Sequence, residues 1–202
     1  PIVNGAGADF AVFENSFSDT FLELGYVWVS DGSLAPDGSF APDGSREKFF
    51  LPFINTRSFT SAPVNAFGTL DPTNIDGLAG KYRGGFVTPF DLESLVPRIN
   101  LIKAGDPNFS FVLNNIQHVK IVDVVGSGND LDGAGDPIYD PYPTSGSIGF
   151  DLDAVGVIHQ LGGPPPDPEP EITPVPIPPW FVFTQAVLFT SISVIKFKNN
   201  KR

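Results

Sequence analysis

The chain has no cysteine and no methionine, only two histidines, and just 12 Lys and Arg against 23 Asp and Glu in 202 residues. Each shortage removes a class of chemistry. Without cysteine there are no disulfides, thiolate metal sites or thiol nucleophiles. The histidines, His118 and His159, lie far apart in sequence, which argues against an imidazole-based catalytic set. A G-x-S-x-G elbow, a phosphate-binding glycine loop and an H-E-x-x-H pair are also missing. Paired carboxylates can hydrolyse glycosides, but nothing in the pattern singles out an acid and a nucleophile. The chain reads as a non-enzyme.

Basic residues are also unevenly placed. Lys196, Lys198, Lys201 and Arg202 close the chain, leaving 8 basic against 23 acidic side chains before them, a net charge of −15 for residues 1–195. Such a body repels nucleic acid and anionic lipid and favours divalent cations.

The chain is rich in turn formers and aromatics, with 21 Gly, 21 Pro and 19 Phe. That composition predicts short strands and many turns, hence an all-β fold. Strand-like runs occur at Asp9–Glu14, Thr20–Ser30, Lys48–Phe53, Phe109–Leu113, Gln117–Val125 and Gly149–Ile158. In the second run Leu22, Leu24, Tyr26 and Trp28 fall on one face, and Phe21, Glu23, Val27 and Val29 on the other, the period of a sheet. A helical turn is predicted at TPFDLESLV, with Thr88 as cap, Pro89 in the first helical position and Asp91 completing the box. The repeat APDGS, at 35–39 and 41–45, reads as tandem turns in a long hairpin loop, or as a docking or metal-binding loop. Together these runs predict two packed antiparallel sheets, a jelly-roll or lectin-like β-sandwich over residues 1–161.

Beyond that body the composition changes. Residues 162–176, GGPPPDPEPEITPVP, read as a stiff, extended tether. From Ile177 to Ile195 the chain is uncharged, and as a helix it spans roughly 28 Å, close to the hydrocarbon thickness of a bilayer. Trp180 suits an interfacial belt, and residues 196–202 form a basic cytoplasmic tail. A single transmembrane helix is the expectation, with a buried strand pair or a cleavable sorting signal as alternatives. The opening Pro1 reads as a mature or trimmed product, which allows export.

Acidic loops carry the candidate sites. In GSGNDLDGAGDPIYDPYP, Asn129, Asp130, Asp132, Asp136 and Asp140 can supply the oxygen ligands that Ca2+ takes. Ala134 and Pro141 stand where an EF-hand needs ligands, so the alternatives are an irregular calcium loop and a solvated connection. Asp151 and Asp153 share one strand face and need a cation or donors to neutralise them; Asp9 or Glu14 with Asp151 or Asp153 can form an inter-strand calcium site, with exposed edge carboxylates or buried carboxylates capping loop amides as the alternatives. Asp71, Asn74 and Asp76 match Asx-turn spacing. Asp123, among valines, is expected to accept hydrogen bonds from a neighbouring loop. Trp28, Tyr139 and Tyr142 offer faces for a glycan, with packing as the competing role.

The runs ADFAVFENSF, FLELGYVWVSDG, DPTNIDGLAGKY, TPFDLESL, VKIVDVVGSG and DPIYDPYPTSGSIGFDLDAVGVIHQ resemble a family of exported bacterial cell-surface proteins of unassigned function, whose members commonly carry a PEP-CTERM-like C-terminal tail. Here Pro168, Glu169 and Pro170 are present, but the apolar run starts several residues later. The resemblance implies an extracytoplasmic address and a lectin-like sandwich, and brings no catalytic residues. Taken together, the expectation is a membrane-anchored accessory subunit on the periplasmic side of a bacterial inner membrane. Its partners would be integral membrane subunits and the bilayer through 177–195, in a complex that is respiratory or photosynthetic among other candidates. The rival expectation is a calcium-dependent carbohydrate-binding surface protein.

Overall fold

A computed structural model describes residues 1–16, 18–55, 63–71, 75–143 and 149–162. The tether beyond Gly162, the uncharged run and the basic tail lie outside the described residues, as does Asn74. Within them the strands are β1 (Phe10–Glu14), β2 (Gly25–Ser30), β3 (Leu51–Pro52), β4 (Leu78–Ala79), β5 (Val87–Phe90), β6 (His118–Asp123), β7 (Ser127–Leu131), β8 (Pro137–Tyr139) and β9 (Leu152–Val157). Every pairing between these strands is antiparallel.

β1 is the centre of a three-stranded sheet, flanked by β5 and β9. β2 is the centre of a second sheet. β6 runs along one of its edges from Gly25 to Ser30, while β3 and β4 share the other, opposite Trp28–Val29 and Gly25–Tyr26 respectively. β7 and β8 form a separate hairpin. Phe10 and Val12 from β1 and Phe90 from β5 meet Val27 and Val29 from β2 and Leu51 from β3 in one core. Phe10 stacks on Phe90 with ring centres 5.3 Å apart and meets Phe53 edge-on at 5.9 Å.

The alternation in the second run sorts its side chains between two cores. Val27 and Val29 enter the shared core, whereas Leu22, Leu24 and Tyr26 serve a second cluster with Leu70, Ile75, Leu78, Val124 and Ile138. Strand geometry, however, begins only at Gly25. Gly80 has φ +83°, and a side chain there would collide with the Glu23 carbonyl. This close approach lets the segment after β4 lie against the entry to β2.

Two local expectations need correction. Thr88 and Pro89 belong to β5, opposite Val12 and Ala11, and the proline is tolerated because β5 is an edge strand. The helical cap falls at Asp91, whose side chain accepts from the Glu93 N–H and starts a 3-10 turn over Leu92–Leu95. That turn leads into α1 (Val96–Gly105), which the sequence hid: only Ile99 of α1 is buried and Leu101 is exposed, so it carries no apolar stripe. Phe109–Leu113 is not a strand. The Val112 N–H is taken by the Asp31 carboxylate at 2.8 Å, and the Phe109 and Phe111 rings pack edge-on against Phe49. The APDGS repeats are turns, with Asp37 accepting from the Ser39 N–H and Asp43 from the Ser45 N–H, each at 2.9 Å.

Phe10 is fully buried between the two sheets. Phe10→Ala should therefore cost about 3–5 kcal/mol, read as a lowered denaturant midpoint with an unchanged slope; a loss below about 1 kcal/mol would mean that the sheets do not share this core.

Candidate functional site

Asp9, a candidate metal ligand in the sequence, sits just before β1 with no exposed surface. Its carboxylate accepts from the Gly5 N–H at 2.6 Å and the Leu92 N–H at 2.7 Å, and faces His159 Nδ1 at 2.8 Å. Its carbonyl accepts from the N–H groups of Ile158 and His159. Asp9 thus ties together the N-terminal segment, the 3-10 turn and the exit from β9. Its oxygens are used in structure, at the opposite end of β1 from Glu14.

The acidic hairpin is organised by its own turn. Asp132 accepts from the Ala134 N–H at 2.9 Å and the Asp136 N–H at 3.0 Å, while Asp136 and Asn129 are exposed. Tyr26 has its hydroxyl pushed up to about 12, first by burial and then by the charge and hydrogen bond of Asp130. Asp140 separates from the other loop acids: it is buried and both of its oxygens lie within 3.2 Å of the Leu24 N–H.

The unusual group lies where β1 ends. There the register against β9 shifts between Phe13 and Glu14, and the shift leaves Glu14 2% exposed with neither carboxylate oxygen hydrogen-bonded. Burial pushes Glu14 up to about 7 from an ordinary 4.5; the Ser16 and Asn15 amides act in the opposite sense, and the charges of Glu23 and Asp151 add to the rise. Glu23 is also raised, chiefly by burial, although it accepts from the Gly149 N–H at 2.6 Å. Asp140 is pushed up to about 9 by burial, opposed by the Leu24 amide and reinforced by Asp123, Glu23 and Glu14. Asp123, as expected, accepts from a loop, the Phe150 N–H at 2.8 Å.

Five carboxylates from the ends of β1, β2, β6, β8 and the approach to β9 thus act on one another electrostatically. The sequence pointed to Asp9 or Glu14 with Asp151 or Asp153; of these, the Glu14 and Asp151 charges act on each other. Asp151 and Asp153 are both exposed, and Asp9 lies elsewhere. Sequence reasoning missed Glu23 as a member, although its placement on the Val27 and Val29 face was a signal of burial. Among the described residues, no three His, Asp or Glu side chains are grouped so as to hold a metal ion. The arrangement can store protons, and a cation here would need backbone carbonyls or water beside Glu14.

A pocket of about 580 Å3 lies between β4, β5 and the 3-10 turn, lined by Phe53, Leu78, Lys81, Tyr82, Phe90 and Asp91 among others, with none of the cluster's carboxylates. Of the aromatic faces considered for a glycan, Trp28 is covered by the Lys120 ammonium at 4.5 Å, which also lies 4.5 Å from the Phe50 ring centre. The Tyr139 ring lies against Gly128, and Tyr142 is 44% exposed. No protein-family model, no curated protein and no solved structure matches the chain.

The cluster sets the pH dependence of stability. Glu14, Glu23 and Asp140 hold protons in the folded state that the unfolded chain has already released. Stability is then highest near the unfolded carboxyl values and falls as pH rises, through about 7 for Glu14 and on to about 9 for Asp140. Denaturant midpoints should be lower at pH 8.5 than at pH 5, and Glu14→Gln should narrow that gap. A midpoint that climbs over the same range would contradict the burial of these groups.

Proposed function

We propose that this protein is a non-catalytic, membrane-anchored subunit whose lectin-like β-sandwich stands on the periplasmic face of a bacterial inner membrane. It works there by contact within a larger assembly, for which a respiratory or photosynthetic complex is one candidate host. In this reading residues 162–176 tether the sandwich, 177–195 cross the bilayer as a helix and 196–202 remain in the cytoplasm. Anchoring raises the effective concentration of the domain at its partners, so modest contacts suffice.

The observation that carries the reading is where the exposed apolar side chains lie. Val155 (36%), Val157 (47%), Ile158 (54%) and Leu161 (60%) follow one another along β9 and its continuation, in the stretch of chain that runs on towards the uncharged segment. Large apolar groups gathered on one edge mark a contact surface. The deeply buried acids, by contrast, are committed largely to backbone amides and to one another.

Solubilisation of membranes in mild detergent, followed by size exclusion and mass spectrometry, should show the chain co-migrating in fixed ratio with integral membrane subunits. Migration of the full chain alone would overturn the reading. A second reading, a calcium-dependent carbohydrate-binding surface protein, is favoured by the bare oxygens of Glu14 beside Asp151 and Glu23 and by exposed Tyr142. It expects a higher melting temperature in calcium than in chelator and glycan-array binding that chelation abolishes. Equal melting temperatures would remove calcium from it.

A further inference from the structure

Among the described residues β9 is the last strand of its sheet, bonded to β1 alone. Natural edge strands are usually guarded by proline, charged side chains, a bulge, a covering loop or extreme shortness. β9 has six residues, Leu152–Val157; its one charge, Asp153, and its register shift fall at its start, so Ala154–Val157 holds no proline, charge or bulge. Its side chains are exposed, Leu152 at 52% as well as Val155 and Val157. Beside it lies a groove of about 380 Å3, lined by Val155 and Val157 from β9, by Ile2, Ile116 and Val119, and by Gln117 and Gln160 among its polar residues. Val119 belongs to β6, the edge strand of the other sheet, so the groove runs between two sheet edges.

These features suit addition of a strand: backbone groups along β9 that no other described strand pairs with, and a groove that receives every second side chain of the incoming segment. Asp153 is exposed where the register of β9 shifts, beyond Val155 and Val157, and supplies an acidic end to the row. The net charge of −15 over residues 1–195 disfavours a second copy of the domain or an acidic peptide and favours a basic one.

We infer that the β9 edge is a docking site for an extended segment of a partner protein, one that places apolar residues at alternate positions into the groove and a Lys or Arg beside Asp153. This rests on the reading of the domain as a contact-making subunit and names the contact. Backbone bonds to β9 would supply the register, the Val155–Val157 groove would select branched apolar side chains, and Asp153 would select the sign of the neighbouring charge.

The test uses the full chain in detergent and a short synthetic peptide that alternates valine with threonine and carries lysine at both ends. Calorimetry should detect binding, with amide shift changes confined to β9, Gln117 and Val119. The same peptide N-methylated at the amides that face β9 should bind at least about tenfold more weakly, as should Val155→Lys with the parent peptide. Asp153→Asn should weaken binding severalfold at low salt, and the difference should shrink at high salt. Equal binding of parent and N-methylated peptides, or shifts that map to another surface, would overturn the proposal. So would a homodimer broken by Val155→Lys in a protein that ignores the peptide, since that assigns the edge to a second copy. Absence of peptide binding in a chain that still co-migrates with membrane subunits rejects strand addition alone; peptide binding by a chain that migrates by itself rejects the subunit reading alone.

Discussion

Carboxylates that accept hydrogen bonds from backbone amides hold this protein's loops to its strands. The Asp9 carboxylate takes the Gly5 and Leu92 N–H groups, Asp31 those of Ser33 and Val112, Asp140 that of Leu24, Glu23 that of Gly149 and Asp123 that of Phe150. The need follows from the architecture. β3 and β4 have only two residues each, so the ladders satisfy few backbone groups, and a buried amide without a partner costs about 1–3 kcal/mol. Ionised or hydrogen-bonded side chains replace the missing ladder bonds. Five of the chain's 23 acidic side chains thus serve as internal scaffolding.

The same solution creates an electrostatic burden where several such acids converge. Glu14, Glu23 and Asp140 are buried near one another, and their protons offset a repulsion that the local amides only partly relieve. Glu14 sits at the register shift between Phe13 and Glu14, where neither oxygen makes a hydrogen bond and the nearby Ser16 and Asn15 amides only temper its burial. Among the buried acids of the described residues it is the one whose oxygens are not engaged.

The all-β character was legible because β1, β2, β6 and β9 are long enough to show alternation or a sustained apolar run. The phase set Leu22, Leu24 and Tyr26 on one face and Val27 and Val29 on the other, and these two groups serve different clusters. Two-residue strands such as β3 and β4 leave no period to read, and their position depends on tertiary contact such as the approach of Gly80 to Glu23. α1 escaped for the opposite reason: its solvent-facing Leu101 and lone buried Ile99 erase the stripe that marks an amphipathic helix. In the candidate site, Asp123 was readable from its valine neighbours. The amide-accepting roles of Asp9 and Asp140 were not legible because spacing in a turn-rich sequence cannot distinguish a ligand from an amide acceptor, and the donors, Leu92 and Leu24, lie 83 and 116 residues away.

The chain leaves the described fold beside the place where it begins: Ile2 bridges both Ile116 and Gln160, and the Leu161 N–H donates to the Pro1 carbonyl. Tension applied at residue 162 would thus run lengthwise along β9, and the transverse bonds of the β1–β9 ladder would resist it side by side. Loaded in shear, such bonds must yield together, whereas strands pulled apart crosswise unzip one pair at a time. The clasp of Asp9 on His159 sits at that end of the ladder, just inside the Leu161–Pro1 bond that such a pull reaches first.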